Sequence, residues 1–230
     1  MYRYKGMQIL IDHDGGDACG TRMCLATDMY RKYLRHMELG KNINVIDLGA
    51  NGGGFPLMLR AEGADIGKLI CVELNPLTYQ RLVFNAKTNI YADAECLNEA
   101  ICGHDGEVLV ALGRGGTNDS VIGADSKTRS PLLTSRVSCS TLDSLFRRYC
   151  DGEIFDICKI DIEGSEYDMF LNAGHDSIQR CRYVIMEIHP ADAIKRVALD
   201  KELQRLGFRE TGNVYYDDNV YLFSNRFLNE

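Results

Sequence analysis

Nine cysteines are scattered through the 230 residues, yet no two form a C-x-x-C pair. The chain therefore lacks the spacing of a zinc site, and an odd, dispersed set does not make a disulfide framework. Cys71, Cys96 and Cys158 stand in apolar runs and are expected to be small core residues. Long apolar runs are missing as well. Near the N-terminus the mostly apolar stretch from Met7 to Ile11 is only five residues long, far short of a secretory core or of the roughly 20 residues that cross a membrane. A cytoplasmic location with no membrane partner is the expectation. Excess positive charge is also lacking: 26 Lys and Arg stand against 33 Asp and Glu, a net charge of −7. That balance argues against a nucleic-acid partner, which needs positive charge concentrated on one face. Arg147-Arg148 and Arg180-Cys181-Arg182 are too short to reverse it. At 45% hydrophobic, the chain can fill one large core. We expect a single domain over residues 1–230, with a cap or helical segment over 1–40 and a ligand-binding core over 41–230.

What is present is a glycine cluster. Residues 45 to 54 read Val-Ile-Asp-Leu-Gly-Ala-Asn-Gly-Gly-Gly, with four glycines in the last six positions. A buried strand would end here, the glycines would let the backbone turn and approach a ligand, and Pro56 stands where a helix can begin. A dinucleotide fingerprint, G-x-G-x-x-G, fails because Asn51 occupies the third position from Gly49 and Leu57 the sixth from Gly52. A phosphate loop fails because Phe55 and Pro56 replace its lysine and hydroxyl. What remains is D-x-G-x-x-G over Asp47, Gly49 and Gly52, the loop of S-adenosylmethionine enzymes, whose ligand carries no phosphate. Gly49, Asn51, Gly52 and Gly53 are expected to carry that cofactor, with the Asp47 carboxylate meeting its amino group.

Leu69 to Val72 reads as a second strand, ending in Glu73, 26 residues after Asp47. A carboxylate there can accept hydrogen bonds from ribose hydroxyls. A third strand around Glu95-Cys96-Leu97 leads into Asn98-Glu99-Ala100, where the adenine edge would be read.

Residues 155–166, Phe-Asp-Ile-Cys-Lys-Ile-Asp-Ile-Glu-Gly-Ser-Glu, follow Thr141-Leu142-Asp143-Ser144-Leu145 and precede Val184-Ile185-Met186-Glu187-Ile188-His189-Pro190. Together with the glycine loop, these motifs closely resemble the FkbM-type methyltransferase family, whose signature is a K-I-D-x-E-G-x-E run. The resemblance covers roughly residues 44–190. It implies an α/β, Rossmann-like class I methyltransferase: a mostly parallel seven-stranded sheet, helices on both faces and a C-terminal antiparallel strand pair. It also implies S-adenosylmethionine as cofactor and transfer usually to oxygen, with acceptors ranging over sugars, polyketide products and other small metabolites.

Strands alternate with helical segments along the chain, as a parallel sheet requires. One helix is expected from about Asp28 to Glu38, with Tyr30, Tyr33, Leu34 and Met37 as a core-packing stripe. Another is expected from about Ala191 to Leu206, stopped by Gly207. Val214-Tyr215-Tyr216 and Val220 to Phe223 read as strands around a turn at 217–219. Both His13-Asp14-Gly15-Gly16-Asp17 and His104-Asp105-Gly106 read as turns, the second as a hairpin connection. Residues 113–136 are polar, glycine-rich and long for a connection. They read as a disordered insertion or as an acceptor-binding lid whose loss would impair turnover more than cofactor binding. Ser120 within them stands where family members often carry a serine.

The expected chemistry is alignment of an acceptor hydroxyl with an already activated methyl group, together with removal of its proton. Asp161, at the end of the fourth strand, is the first choice for acceptor positioning or base. Glu163 points the same way if the chain stays extended, and Glu187 and His189 follow the fifth strand in the same relation. Lys159 would pair within the site or support its packing. Glu163 and Glu166 also fit as helix N-terminal acids. Asp161, Glu163, Glu187 and His189 could suit magnesium or manganese, but no close ligand motif is present and metal-independent catalysis is expected. The acceptor is expected to be a small hydroxylated molecule, a sugar or secondary metabolite. Competing readings are an N-methyltransferase, for which the Asn/Asp-Pro-Pro-Tyr run is missing, and a non-catalytic protein that merely binds the cofactor.

Overall fold

The computed structural model describes residues 1–90, 92–112, 119–121, 133–212 and 219–229. Strands β1 (Tyr2–Tyr4) and β2 (Met7–Ile9) form an antiparallel hairpin, followed by turns and a short helix α1 (Thr21–Ala26). The helix expected over 28–38 is reduced to a six-residue 3-10 segment, Arg31–His36. Tertiary bonds override helical propensity there: the Tyr30 hydroxyl donates to Asp161 at 2.9 Å and that of Tyr33 to the Val220 carbonyl at 2.6 Å. Tyr30, Tyr33 and Met37 are buried, as their spacing predicts.

The central layer begins with β3 (Ile43–Leu48), α2 (Gly54–Ala61), β4 (Ile66–Val72), α3 (Pro76–Asn89) and β5 (Asp93–Leu97). An excursion follows: β6 (Ala100–Ile101), β7 (Gly106–Leu112), β8 (Ser120–Val121) and β9 (Leu133–Ser140) make a separate sheet in the order β6-β9-β7-β8. The chain then returns through α4 (Leu142–Tyr149), β10 (Phe155–Ile160), α5 (Glu166–Leu171), β11 (Cys181–Glu187), α6 (Ala193–Arg205), β12 (Phe208–Gly212), β13 (Val220–Asn225) and α7 (Arg226–Asn229). The seven-stranded sheet runs β12-β13-β11-β10-β3-β4-β5. Its pairings are parallel from β11 to β5, while β13 is antiparallel to both β11 and β12. This is the mostly parallel seven-stranded sheet with a C-terminal antiparallel pair expected from the sequence.

Parallel strands covered on both faces are apolar throughout, and successive residues serve opposite faces. Val45, Leu69, Cys71, Ile157 and Ile185 pack into one core with α2 and α3. Ile46, Ile70, Cys158, Val184 and Met186 pack into the other with α4, α5 and α6. Three helices begin on side-chain caps: Asn75 accepts from the Leu77 and Thr78 amides, Thr141 from Ser144 and Asp192 from Lys195. Gly207, at φ +92, follows α6 where a left-handed residue was expected.

Two turn readings need correction. His104-Asp105-Gly106 does not join a hairpin, because β6 and β7 both pair with β9 and not with each other. Asp105 instead accepts from the Thr141 amide at 2.6 Å and the Ser144 hydroxyl at 2.5 Å, bracing the start of α4. Part of the expected 113–136 loop is strand, since Ser120 and Val121 pair with Ala111 and Val110 and β9 begins at Leu133. Residues 113–118 and 122–132, and the strand and turn expected over 214–218, lie outside the described residues. No described helix is long and apolar enough to cross a membrane.

Candidate active site

The glycine loop sits between the C-terminal ends of β3, β4 and β10, the edge where open α/β sheets bind ligands. Gly49 and Ala50 both donate to the Val72 carbonyl, at 3.0 and 2.9 Å, which ties the loop to the end of β4. Gly49 has φ +73, and a β-carbon there would lie 1.7 Å from the Asp161 carbonyl oxygen. Only glycine lets β3 and β10 close on each other at this point. Asn51 is also left-handed, at φ +50. Its amide donates to Glu73 at 2.9 Å, while its side-chain oxygen accepts from the Gly52 amide at 2.8 Å and the Thr21 hydroxyl at 3.1 Å. Gly20 and Gly52 let the N-terminal segment press onto the loop: added β-carbons would lie 2.5 Å from Asn51 and 2.4 Å from Thr21.

Glu73 faces this loop from β4. Its two oxygens accept from the Asn51 and Asn75 amides at 2.9 and 2.8 Å. Burial pushes its carboxyl up to about 7, against the pull of those amides. Glu99 is buried opposite, held by Arg148 at 2.7 Å and Ser140 at 3.0 Å. Asn98 takes a different part from the one expected: it is exposed and donates to the Glu73 and Leu74 carbonyls at 2.8 and 3.0 Å, bracing the turn outside the cleft. The cleft between these groups opens to solvent around an enclosed volume of about 70 Å³ and is lined by Gly49, Asn51, Glu73 and Glu99, with Leu74 and Ile101 as apolar walls. Acids at two strand ends, a backbone cradle that a side chain would fill and apolar walls fit an adenosine-bearing cofactor.

Asp47 does not line this cleft. It is fully buried, with Lys159 at 3.3 Å from Oδ1 but off the line of a hydrogen bond. Burial pushes the Asp47 carboxyl up while Lys159 pulls it back. Asp47, expected to meet a cofactor's amino group, lies instead beneath the glycine loop beside Lys159. Lys159 donates to the Gly49 carbonyl at 2.7 Å and lies 3.4 Å from Asp161 Oδ2. Burial lowers its ammonium, but Asp47 and Asp161 outweigh burial and hold it charged.

Asp161 lines both this cleft and a second cavity of about 330 Å³ that adjoins it. Its Oδ2 accepts from the Tyr30 hydroxyl at 2.9 Å; Oδ1 has no hydrogen-bond partner among the described residues. The second cavity is walled by Cys24, Met29 and Tyr30 on one side and Asp161, Glu187 and His189 on the other. Glu163 lines both cavities, although the chain does not stay extended there: Glu163 and Gly164 have φ +52 and +93. Burial, with Asp161 adding to it, pushes Glu187 up to about 7.

His189 is not an available base. Its ring nitrogens face Glu166 at 3.0 Å and Glu163 at 3.3 Å. Burial pulls the imidazolium down, but these two carboxylates outweigh it and push the group up to about 11. Glu166 is a fully buried structural acid that also accepts from the Ile162 and Gly164 amides. Asp161, Glu187 and His189 place ligand atoms within 4.8 Å of one another, a set that could take a divalent cation. Tyr30 and Gly20 were not foreseen as site residues, because nothing in their local sequence distinguishes them from a core stripe and a turn. Asp119, buried on the cleft wall, gave no local signal either.

The family model of the methyltransferase FkbM domain matches residues 47–210. No curated protein matches the chain. The solved structure of methyltransferase FkbM from Methylobacillus flagellatus KT is 13% identical with a TM-score of 0.55, over 86% of this chain and 47% of that one. This chain thus spans about half of the Methylobacillus protein. A human methyltransferase 10 domain containing protein is 14% identical with a TM-score of 0.51, over 96% of this chain and 89% of its own. These likenesses agree with the sheet order. With the family match spanning the glycine loop, Asp161 and His189, the chain belongs to the FkbM methyltransferase family.

Proposed function

We propose that this chain binds S-adenosylmethionine in the first cleft and methylates a hydroxyl oxygen of a small molecule, a sugar or secondary metabolite, held in the second. The observation that carries this reading is the meeting of the two cavities at Asp161 and Glu163. Glu73 would take the ribose hydroxyls, Glu99 the edge of the base and the loop from Gly49 to Gly53 the amino-acid end. When bound, S-adenosylmethionine supplies a methyl carbon made electrophilic by its positive sulfur.

The protein's part is then alignment, exclusion of water and removal of a proton. Tyr30 and Lys159 fix one oxygen of Asp161 and leave the other for the acceptor hydroxyl. Glu187, poised near neutrality, is a second carboxyl able to take the proton onward. His189, as an imidazolium, positions Glu163. Residues 1–230 act as one domain in this reading, because Tyr30 and its neighbours wall the acceptor cavity. The three acids Asp161, Glu163 and Glu187 against one imidazolium also favour, as a second reading, transfer to an amine nitrogen.

Calorimetry with S-adenosylmethionine tests the first half: binding is expected, weakened by about 1–3 kcal/mol in Glu73→Ala. Unchanged affinity in a folded variant would remove Glu73 from the ribose. Label transfer from methyl-labelled cofactor into a pool of hydroxylated metabolites tests the second half. Binding with no transfer to any member would favour a non-catalytic protein.

A further inference from the structure

The separate sheet formed by β6 to β9 reaches the cofactor cleft at one charged residue. Asp119, just before β8, is only 5% exposed and lines the cleft. It accepts from the Asn75 side-chain amide at 2.6 Å. Asn75 is itself 2% exposed, caps α3 through its side-chain oxygen and donates its backbone amide to Glu73 at 2.8 Å. A continuous line of buried polar contacts therefore runs from the excursion to the strand-end acid. Val121, two residues on, lines the cleft beside it and pairs with Val110 of β7.

Resting on the cofactor assignment above, we propose that Asp119 is a positioning residue of the nucleoside cleft. It orients Asn75, and through Asn75 the Glu73 carboxylate, so that the excursion helps to set how tightly the adenosine part is held. Neither partner is free to do this alone. The Asn75 oxygen is committed to α3, so its amide nitrogen is turned toward Asp119. Glu73 has both oxygens on backbone amides and can accept ribose hydroxyls only if those amides stay in place. The charge of Asp119 also bears on Glu73. It raises the Glu73 carboxyl in addition to burial, while Lys159 of β10 opposes it. Arg81 of α3 also interacts with Glu73 and is neutralised by Asp17, at 2.6 and 2.8 Å. Asp119 is thus a negative neighbour of Glu73, and ribose hydroxyls bind the carboxylate better than the neutral acid.

The test is calorimetry of S-adenosylhomocysteine across a pH series, with the full chain and two variants. In the natural chain, affinity should weaken as pH falls through about 7, where Glu73 takes up a proton. Asp119→Asn keeps an oxygen for Asn75 but removes the charge, so the acid-side loss should move to lower pH. Asp119→Ala removes the anchor and should weaken binding about tenfold at every pH, with the far-ultraviolet spectrum unchanged. If Asp119→Ala fails to fold, the displaced profile of Asp119→Asn alone decides. Profiles of both folded variants that superimpose on the natural one overturn the proposal. If the natural chain binds no S-adenosylhomocysteine at all, the cofactor assignment itself fails.

Discussion

The two cavities that meet at Asp161 are built in different ways. The first cleft is built largely from residues that follow strand ends: Gly49 and Asn51 after β3, Glu73 after β4 and Glu99 after β5. Most of its contacts are backbone amides or buried carboxylates whose places follow from sheet register. The second cavity joins Asp161, Glu187 and His189 to a segment over 100 residues earlier, residues 19–30, which precedes the family match. The first is a property of the fold, and the second depends on what each chain adds to it. Changes in the cleft should therefore cost structure and cofactor affinity, whereas changes in the second cavity should cost turnover and leave affinity alone.

The harshest test is Gly49→Ala. A left-handed backbone and a β-carbon 1.7 Å from the Asp161 carbonyl should together cost at least roughly 3 kcal/mol in denaturant melts. Gly63→Ala, with the same backbone hand but nothing within 4 Å, should cost only about 1–2 kcal/mol. Equal losses would mean that strand closure at Gly49 is not tight. Next in size, Asp161→Asn should slow turnover at least about a hundredfold, and since Asp161 lines both cavities, any loss of cofactor affinity should be far smaller. Turnover of the natural chain should survive exhaustive chelation. Loss of turnover restored by magnesium or manganese would put a metal on Asp161, Glu187 and His189.

Glu187→Gln separates stability from function. The carboxyl of Glu187 rises from 4.5 to about 7 on folding, so the folded chain resists its ionisation. That penalty is absent below about pH 4.5, grows as pH rises and is complete above 7. The glutamine variant should therefore be more stable by roughly 1–3 kcal/mol at pH 8 and no more stable at pH 4. A gain independent of pH would point to packing instead. The smallest effect is expected from Tyr30→Phe, which removes one hydrogen bond to Asp161. Turnover should fall about tenfold while cofactor affinity and melting stay nearly unchanged; a matching fall in affinity would move Tyr30 into the cofactor cleft.

How much of this could be read from the residues alone follows the same division. The order of β3, β4, β10 and β11, and the acids that end them, were readable because buried parallel strands are short apolar runs that stop at polar residues. The K-I-D-x-E-G-x-E run fixed attention on Asp161 and Glu163, which line both cavities. Asp47 misled, because a carboxylate at a strand end looks alike whether it faces a ligand or a buried lysine. Only the register of Asp47 with Lys159 across β3 and β10 distinguishes the two. His189 misled for a related reason: its two carboxylate partners come from the turn after β10 and from the first residue of α5, and nothing near residue 189 announces them. Tyr30 was read correctly as a buried side chain, but its hydroxyl finds a partner 131 residues away. Such a contact leaves no periodic trace.

The N-terminal segment also has to wait during synthesis. Gln8 and Leu10 donate to Asn89 and Asn85, at separations of 81 and 75 residues, and Tyr33 reaches Val220 across 187. At a translation speed of about 5–20 residues per second, the first hairpin is made roughly 4–16 seconds before its anchors on α3 exist. Tyr30 and Tyr33 wait longer still for the strands they bind. On the ribosome, the second cavity is therefore completed after the glycine loop and Glu73 have been made. The apolar faces of the first 40 residues must meanwhile be kept from other nascent chains.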